Sequence, residues 1–594
     1  MAYFKLIATQ VGTGAGPFTI KSNTGAVLVT GVTGAQLLAG YIFDVPAGVI
    51  SVTVENVATN TVCATSETYL VPDPGFWEMQ KSGAELVSDH YGVLLNPYVV
   101  PVHAFAAAAV TGVYGGVVSG TGEWLIKGGP EAIGGIAYPG GGTLIATAVN
   151  TNTATRVESG ATLQIGYDLN ALSGRVSQGG TLTVDAGGVV NVVGANETPG
   201  RIAIDALVNN GQVTFEGPDV CGEGYFQNGG VIGNAGTITV KENANFRFSN
   251  STTFSGQVGT IRVEDGGTLE QNGVSTPSTQ TLALNGCGKC TNIGKQDGAM
   301  LVSGSGTIAS PIVLESDVCM DHVGSGAATI SGRISGAHKL TLNNKADSAT
   351  RQGTWSFTSN TAPFFNNTLE VKNTTLYDTG ANALSKADVV FLGTGYMQSD
   401  GGAINIGSIA SPDATTGILL NSSGSITLKE NGETTYAGAI GNSTPGTPWT
   451  LTLDGPATNK LTLTGAGSSA VNLASNTGSR IVVQGGHFNQ WTGTGTISGG
   501  ASTAGRINTL TINASSALDV YASGTGTGMV WASNALNTSV GWSVNVMDAL
   551  PAGTYNILRK PNSVAATLPV IGTNASGLTA TFANVGSFIT MTLA

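Results

Sequence analysis

Apolar and polar residues alternate along much of this chain, and the rhythm is clearest between Val157 and Val193. That stretch reads VESGATLQIG, a polar interlude, then SQGGTLTVDAGGVVNVV. Each unit has a Gly or Gly-Gly corner, a Thr, and an alternating run such as Leu163-Gln164-Ile165 or Leu182-Thr183-Val184. Alternation at period two sends one set of side chains inward and the other outward, which predicts half-buried strands. The glycines supply the positive φ or the close backbone approach that a sharp corner needs. The phrase returns as AGTITV at 235–240, VGTIRVEDGGTLEQ at 258–271, HKLTLNN at 338–344, NKLTLTG at 459–465 and INTLTINASSALDV at 507–520. Gly160 and Gly180 open units 20 residues apart, about one three-sided coil of a parallel β-helix. The expected fold is all-β: a parallel β-helix (solenoid) with a small N-terminal β-sandwich and a C-terminal β cap.

The two ends depart from the repeat. Residues 1–72 predict short strands at Phe4–Thr9, Phe18–Ser22, Ala26–Thr30, Tyr41–Val45 and Ile50–Val57, with turns at Gly12–Pro17 and Pro46–Gly48. Short strands at close spacing suggest a small antiparallel sandwich, serving as an anchor or as an end cap. Residues 73–120 read as a linker in which Pro74, Pro97 and Pro101 exclude a continuing helix. The apolar run Leu94–Val118 carries two of those prolines and His103. It therefore predicts burial against the first coils or in a subunit interface, anchored by Trp77, Tyr98 and Trp124, and not a membrane span. The β-helix is expected over 121–520, with 349–368 (ATRQGTWSFTSNTAPFFNNT) and 411–417 (SPDATTG) as loops leaving the coils. Residues 521–594 leave the repeat and predict a terminal cap.

Composition agrees with this pattern. Gly, at 87 residues, is about twice its ordinary share, and only 10% of residues are charged. Yet 41% are hydrophobic and recur in strand rhythm, so there is apolar surface to offset the entropy of ordering the chain. The net charge of −12 comes without any run of Lys and Arg, so no nucleic-acid partner is expected.

Runs such as GGTLTVDAGGVVNVV resemble the passenger repeats of autotransporter adhesins, which form right-handed β-helices. The C-terminus adds Leu550-Pro551-Ala552-Gly553-Thr554-Tyr555-Asn556-Ile557-Leu558, then Gly577-Leu578-Thr579-Ala580 and Ile589-Thr590-Met591-Thr592-Leu593, similar to the capping segment of such passengers. The resemblance covers about residues 150–594 and brings no catalytic motif. MAYFKLIATQ at the start lacks the basic region and apolar run of a secretory signal, and SFITMTLA ends the chain without membrane-barrel strands. The expectation drawn from both is a virion surface protein, such as a bacteriophage fibre, spike or capsid decoration, with a secreted adhesin as the alternative. By resemblance to viral spikes a homotrimer is expected, contacting other virion structural proteins and a host-surface glycan or protein.

Candidate chemistry is sparse. The cysteines are Cys63, Cys221, Cys287, Cys290 and Cys319. Cys287, Cys290 and Cys319, with Cys221, Asp317, Asp321 and His322 near them, allow either a zinc site or a disulfide. A second CxxC is missing, and with no βαβ pattern around it the motif is not thioredoxin-like. Glycoside hydrolysis, as in a tailspike-type depolymerase, needs two carboxylates. Glu216, Asp219 and Glu223 in FEGPDVCGEGY are the first candidates, and Glu264 with Asp265 the second, unless these are solvated turn residues. Trp355, Phe357, Phe364, Phe365, His487, Phe488 and Trp491 either form a glycan-binding surface or pack inside the coils or a trimer seam. No G-x-S-x-G, Walker or H-E-x-x-H motif supports an esterase, NTPase or metalloprotease. The reading is a non-enzymatic structural protein, with no cofactor and no membrane insertion expected.

Overall fold

The structure is a computed structural model of the 594-residue chain. It describes all residues except 1, 7–15, 47–48, 50, 57–65, 71–75, 80–85, 88–100, 106–110, 115–118, 127–130, 134–135, 139–142, 147–150, 167–177, 194–199, 218–223, 229, 249–251, 257 and 289–297 in the first half. In the second half the exceptions are 325, 345–352, 359–364, 379–380, 400–401, 421–423, 430–431, 443–447, 456–458, 500–505, 522–528 and 562–563. The chain forms two compact units, Met1–Leu301 and Val302–Ala594.

The first unit begins with an antiparallel module. Val27–Val32, Phe18–Ser22, Ser51–Asn56 and Ser66–Leu70 pair in that order, and Ala2–Leu6 pairs with Tyr41–Val45. Leu6, Phe18, Ile20, Val32, Leu37, Phe43 and Val52 fill its core. Leu37 comes from a helix, Gly34–Ala39, that strand periodicity does not predict. Its start is fixed by a capping box: the Thr33 hydroxyl accepts from the Gln36 backbone, and the Gln36 side chain accepts from the Thr33 backbone at 2.8 Å.

Parallel coils follow. In one sheet Thr143–Ala146, Thr162–Ile165, Val189–Val193, Gln212–Glu216, Thr237–Val240, Thr260–Val263 and Thr281–Leu284 stack in register. Leu163, Val190, Val213, Ile238, Ile261 and Leu282 form one continuous inward column, all buried. Thr151–Val157, Gln178–Val184 and Gly200–Asn209 belong to the opposing sheet. Gly160 and Gly180 are therefore not equivalent: the first precedes a strand of one sheet, the second lies within a strand of the other. The true partner of Gly160 is Gly187, whose carbonyl accepts from the Gly160 amide at 2.9 Å. Coil length is 27 residues here, since Thr162 faces Val189, and falls to 21 where Ile261 faces Leu282. Gly187 has φ 84° and a Cβ there would strike the Ser159 hydroxyl, so the corner requires glycine.

A polar ladder runs inside the same coils. The Asn209 amide donates to Asn234 Oδ1 at 2.8 Å, and the Asn234 amide donates to Gln280 Oε1 at 3.2 Å. Gln280 in turn donates to the Gly259 carbonyl at 2.5 Å. Stacking coils in register allows amides to satisfy one another where a lone buried amide would be costly. Phe215 stacks on Phe246 with ring centroids 4.4 Å apart, and Phe246 meets Phe248 edge-on.

The second unit continues the parallel pattern. Leu384–Leu392, Ala403–Ala410, Ser425–Leu428, Trp449–Leu453, Val471–Ser475, His487–Gly493, Arg506–Ile512 and Val530–Thr538 form one sheet. A second runs from Ala327–Ile330 through Thr354–Phe357 to Ala439–Asn442, and a third from Glu433–Tyr436 to Val570–Asn574. Pairing turns antiparallel at the end, where Phe588–Leu593 lies between Gly553–Arg559 and Ala580–Val585. Buried Lys560 donates to the carbonyls of Val564 and Gly586, both at 2.9 Å, and ties this cap together.

Of the two segments expected as loops, one contains a coil strand among its described residues and the other is a tight turn between strands. Within 349–368, Thr354–Phe357 is a strand paired with Ala327–Ile330 and Thr375–Asp378. Within 411–417, Ser411 bridges to Tyr436, and its hydroxyl shares a hydrogen bond with Thr416 at 2.8 Å in a tight turn. Within Leu94–Val118, Pro101–Phe105 and Thr111–Tyr114 are strands, and among the described residues no helix is long and apolar enough to cross a membrane. Trp124 is fully buried, while Tyr98 lies outside the described residues.

Candidate functional site

Strand parity decides what each candidate aromatic can touch. Trp355 stands in an inward column with Ala328, Leu376, Met397 and Ile418, all buried. Trp491 occupies the same kind of position between Leu473 and Leu510. Phe357, Phe365 and Phe488 are buried as well, and Phe364 lies outside the described residues. Trp355, Phe365 and Trp491 thus pack inside the coils, and no surface ligand reaches their rings. Trp355 follows half-buried Thr354 in regular alternation, whereas in His487–Gly493 the alternation slips by one residue, so that Phe488 and Trp491 both point inward. Among the described members of the set, His487 alone faces outward, half-buried, with its Nε2 2.6 Å from Asn508 Oδ1.

The candidate carboxylates are not assembled among the described residues. Glu216 is half-exposed and pairs with Lys241 at 3.4 Å. Asp219 and Glu223 lie outside the described residues. Glu264 and Asp265 sit in the turn after Thr260–Val263, which the Gly267 amide closes onto the Glu264 carbonyl at 2.9 Å.

Cys287 and Cys319 are both in disulfides. A disulfide sulfur has no thiolate to offer zinc, so the zinc reading loses these two ligands. Cys290, Cys221 and Cys63 lie outside the described residues. Asp317 accepts from the Lys339 amide at 3.0 Å. His322 is buried, donates from Nε2 to the Gly304 carbonyl at 2.7 Å, and meets the Trp355 ring edge-on. Its Nδ1 faces Gly353, where burial holds the imidazole below its ordinary pKa and therefore neutral. Among the described residues no group of His, Cys, Asp and Glu is placed to hold a metal ion.

The outward positions near the C-terminal end carry a feature that sequence reading missed. His487, Arg506, Trp531 and Arg559 fall in one register column across four neighbouring strands. Their inward neighbours Phe488, Ile507, Ala532 and Leu558 are buried, which fixes the column on the outer face. The Arg506 guanidinium lies 4.2 Å from the Trp531 ring centroid and that of Arg559 lies 4.1 Å from it. One arginine comes from the preceding strand and the other from the following one, so the indole is held between them. Beside this column the Ser533 hydroxyl donates to Asn508 Oδ1 at 3.0 Å, the same oxygen that meets His487.

The sign of the charge reverses there. From residue 480 onward the basic residues are Arg480, Arg506, Arg559 and Lys560, against Asp519 and Asp548, in a chain of net charge −12. Arg480 is already engaged: it pairs with buried Asp519 and donates to the Tyr521 hydroxyl at 2.9 Å. Burial raises the Asp519 pKa, opposed by the Asn545 amide and by Arg480. Among the described residues neither Arg506 nor Arg559 has a carboxylate partner, so the column is an uncompensated cationic strip stiffened by an aromatic ring.

Fold and outer face define a class: a parallel β-solenoid, capped by antiparallel strands, with an architecture that suits a structural, adhesin-type role. A scan against protein-family models finds no match, and a search of curated proteins finds none either.

Proposed function

We propose that this protein is a structural surface component of a virus particle, a fibre, spike or capsid-associated adhesin, presenting the outer face of its solenoid to a host surface. One observation carries the reading. The same strands that fill the interior with apolar columns hold, on their outward side, a cation–aromatic column with no acidic partner among the described residues. The disulfides at Cys287 and Cys319 support a working life in an oxidising exterior. The N-terminal sandwich is the proposed attachment point. Assembly as a homotrimer belongs to the same proposal, and many weak contacts from repeated copies would add as avidity.

The test is electron microscopy of purified particles with a gold label on an N-terminal tag, alongside the sedimentation mass of the full chain. Label at the root of a projection on virus particles, and a mass three times 59.7 kDa, are the expected results. Label found only on a bacterial envelope would replace the virion with a secreted adhesin. Release of reducing ends from host polysaccharide, abolished by Glu216→Gln, would replace display with depolymerisation.

A further inference from the structure

We infer that the Arg506–Trp531–Arg559 column is a binding strip for an acidic polysaccharide, which it takes by the carboxylates of uronic acid sugars. The inference rests on the surface-display reading and names the ligand class that such a surface would contact.

The geometry supplies three reasons. Stacking on an indole occupies the flat face of a guanidinium and leaves its N–H edge free, and that edge is the fork that matches a carboxylate. With no carboxylate partner among the described residues, both forks remain available to a ligand. Strands in a sheet are about 4.8 Å apart, so two steps separate the arginines by roughly 10 Å. An extended polyuronate turns alternate carboxylates to the same side, so one chain lying along the solenoid can engage both arginines. Finally, the amide and hydroxyl of Asn508 and Ser533 stand next to the column, where sugar hydroxyls need donors and acceptors.

A nucleic acid or a polyphosphate would be drawn to the same charge, but the strip offers a single indole already covered on both faces, leaving nothing for bases to stack on. A neutral glycan would leave both guanidiniums without a counter-charge. Acidic sugar fits both constraints.

The experiment is calorimetric titration of the full chain with an oligogalacturonate, a neutral maltooligosaccharide of equal length and an inorganic polyphosphate, at low and raised salt. Arg506→Gln, Arg559→Gln, the double glutamine variant and a double lysine variant are compared, each checked by thermal melting. The oligogalacturonate should bind and the neutral sugar should not. Each single glutamine should weaken binding about tenfold and the pair about 100-fold, with melting little changed. The lysine pair keeps charge but not the fork or the stack, so it should recover less than about a tenth of the wild-type affinity. Absence of wild-type binding to the oligogalacturonate overturns the inference. So does wild-type affinity in the glutamine pair, or full recovery in the lysine pair with equal binding of polyphosphate, which would mean charge attraction alone. Adherence to host cells separates the two proposals. If the double glutamine variant adheres like the wild type, the strip fails and display stands; if the wild type does not adhere, display itself fails.

Discussion

Trp491 and Trp531 stand on strands of one sheet and on its opposite faces. Trp491 is fully buried between Leu473 and Leu510, a filler in an apolar column. Trp531 is half-exposed between Arg506 and Arg559. Both belong to parallel strands, and the face each ring takes, set by the pairing register with its slip between Ile507 and Thr509, decides whether it serves packing or contact. In a solenoid the consequence is amplified, because register repeats the choice in every coil. Interior columns supply stability; outer columns are free to carry recognition.

That contrast can be broken most forcefully from the inside. Trp491→Ala should cost about 3–5 kcal/mol through lost burial and the cavity it leaves, read by thermal melting and by faster hydrogen exchange in Val471–Ser475 and Arg506–Ile512. Trp531→Ala should cost less, about 1–2 kcal/mol, the worth of the two cation–π contacts it removes.

Next in size is Arg480→Met, expected to cost about 3 kcal/mol because it strands the buried Asp519 carboxylate. Chemical denaturation checks it, and Arg506→Met should move the same curve far less. If the two behave alike, the distinction between a structural and a free arginine is lost.

Asn234→Ala should cost about 1–3 kcal/mol, since it leaves the Asn209 amide and the Gln280 carbonyl without their shared partner. Replacing an outward residue of the same coils, as in Thr239→Ala, should be close to neutral by the same denaturation measurement.

The smallest effect is one of pH. Burial depresses the His322 pKa from 6.5, so the unfolded chain takes up the proton first as pH falls. Its contribution is whole above pH 6.5 and is lost as pH falls from there through the depressed folded value. Melting temperature should therefore decline between neutral pH and about pH 5, and His322→Leu should flatten that decline.

How much of this was legible without the structure follows from what period-two patterning can and cannot say. Inward residues such as Leu163 and Leu182 were visible because alternation alone defines them, but not which of them stack on one another. Coil length was not, because both strands of a coil use the same Gly-Thr phrase, and a half-coil reads like a whole one. Trp355 sits among Gly, Ser and Thr and so resembles a loop residue, although its own parity with Phe357 already pointed inward. Helix Gly34–Ala39 is too short for a helical period, and its one local signal was the Thr33–Gln36 spacing. The cationic column was hidden for a different reason. Arg506, Trp531 and Arg559 are separated by 25 and 28 residues, and only the register brings them together. A chain without a basic run in sequence builds one across its coils.

The most direct test of the division between interior and outer face is a single variant measured two ways: Trp531→Ala, for thermal melting and for adherence to host cells. The account predicts a smaller fall in melting temperature than for Trp491→Ala and a loss of adherence, as the two guanidiniums lose the ring that orders them. Intact adherence, or a fall in melting as large as that of Trp491→Ala, would contradict it.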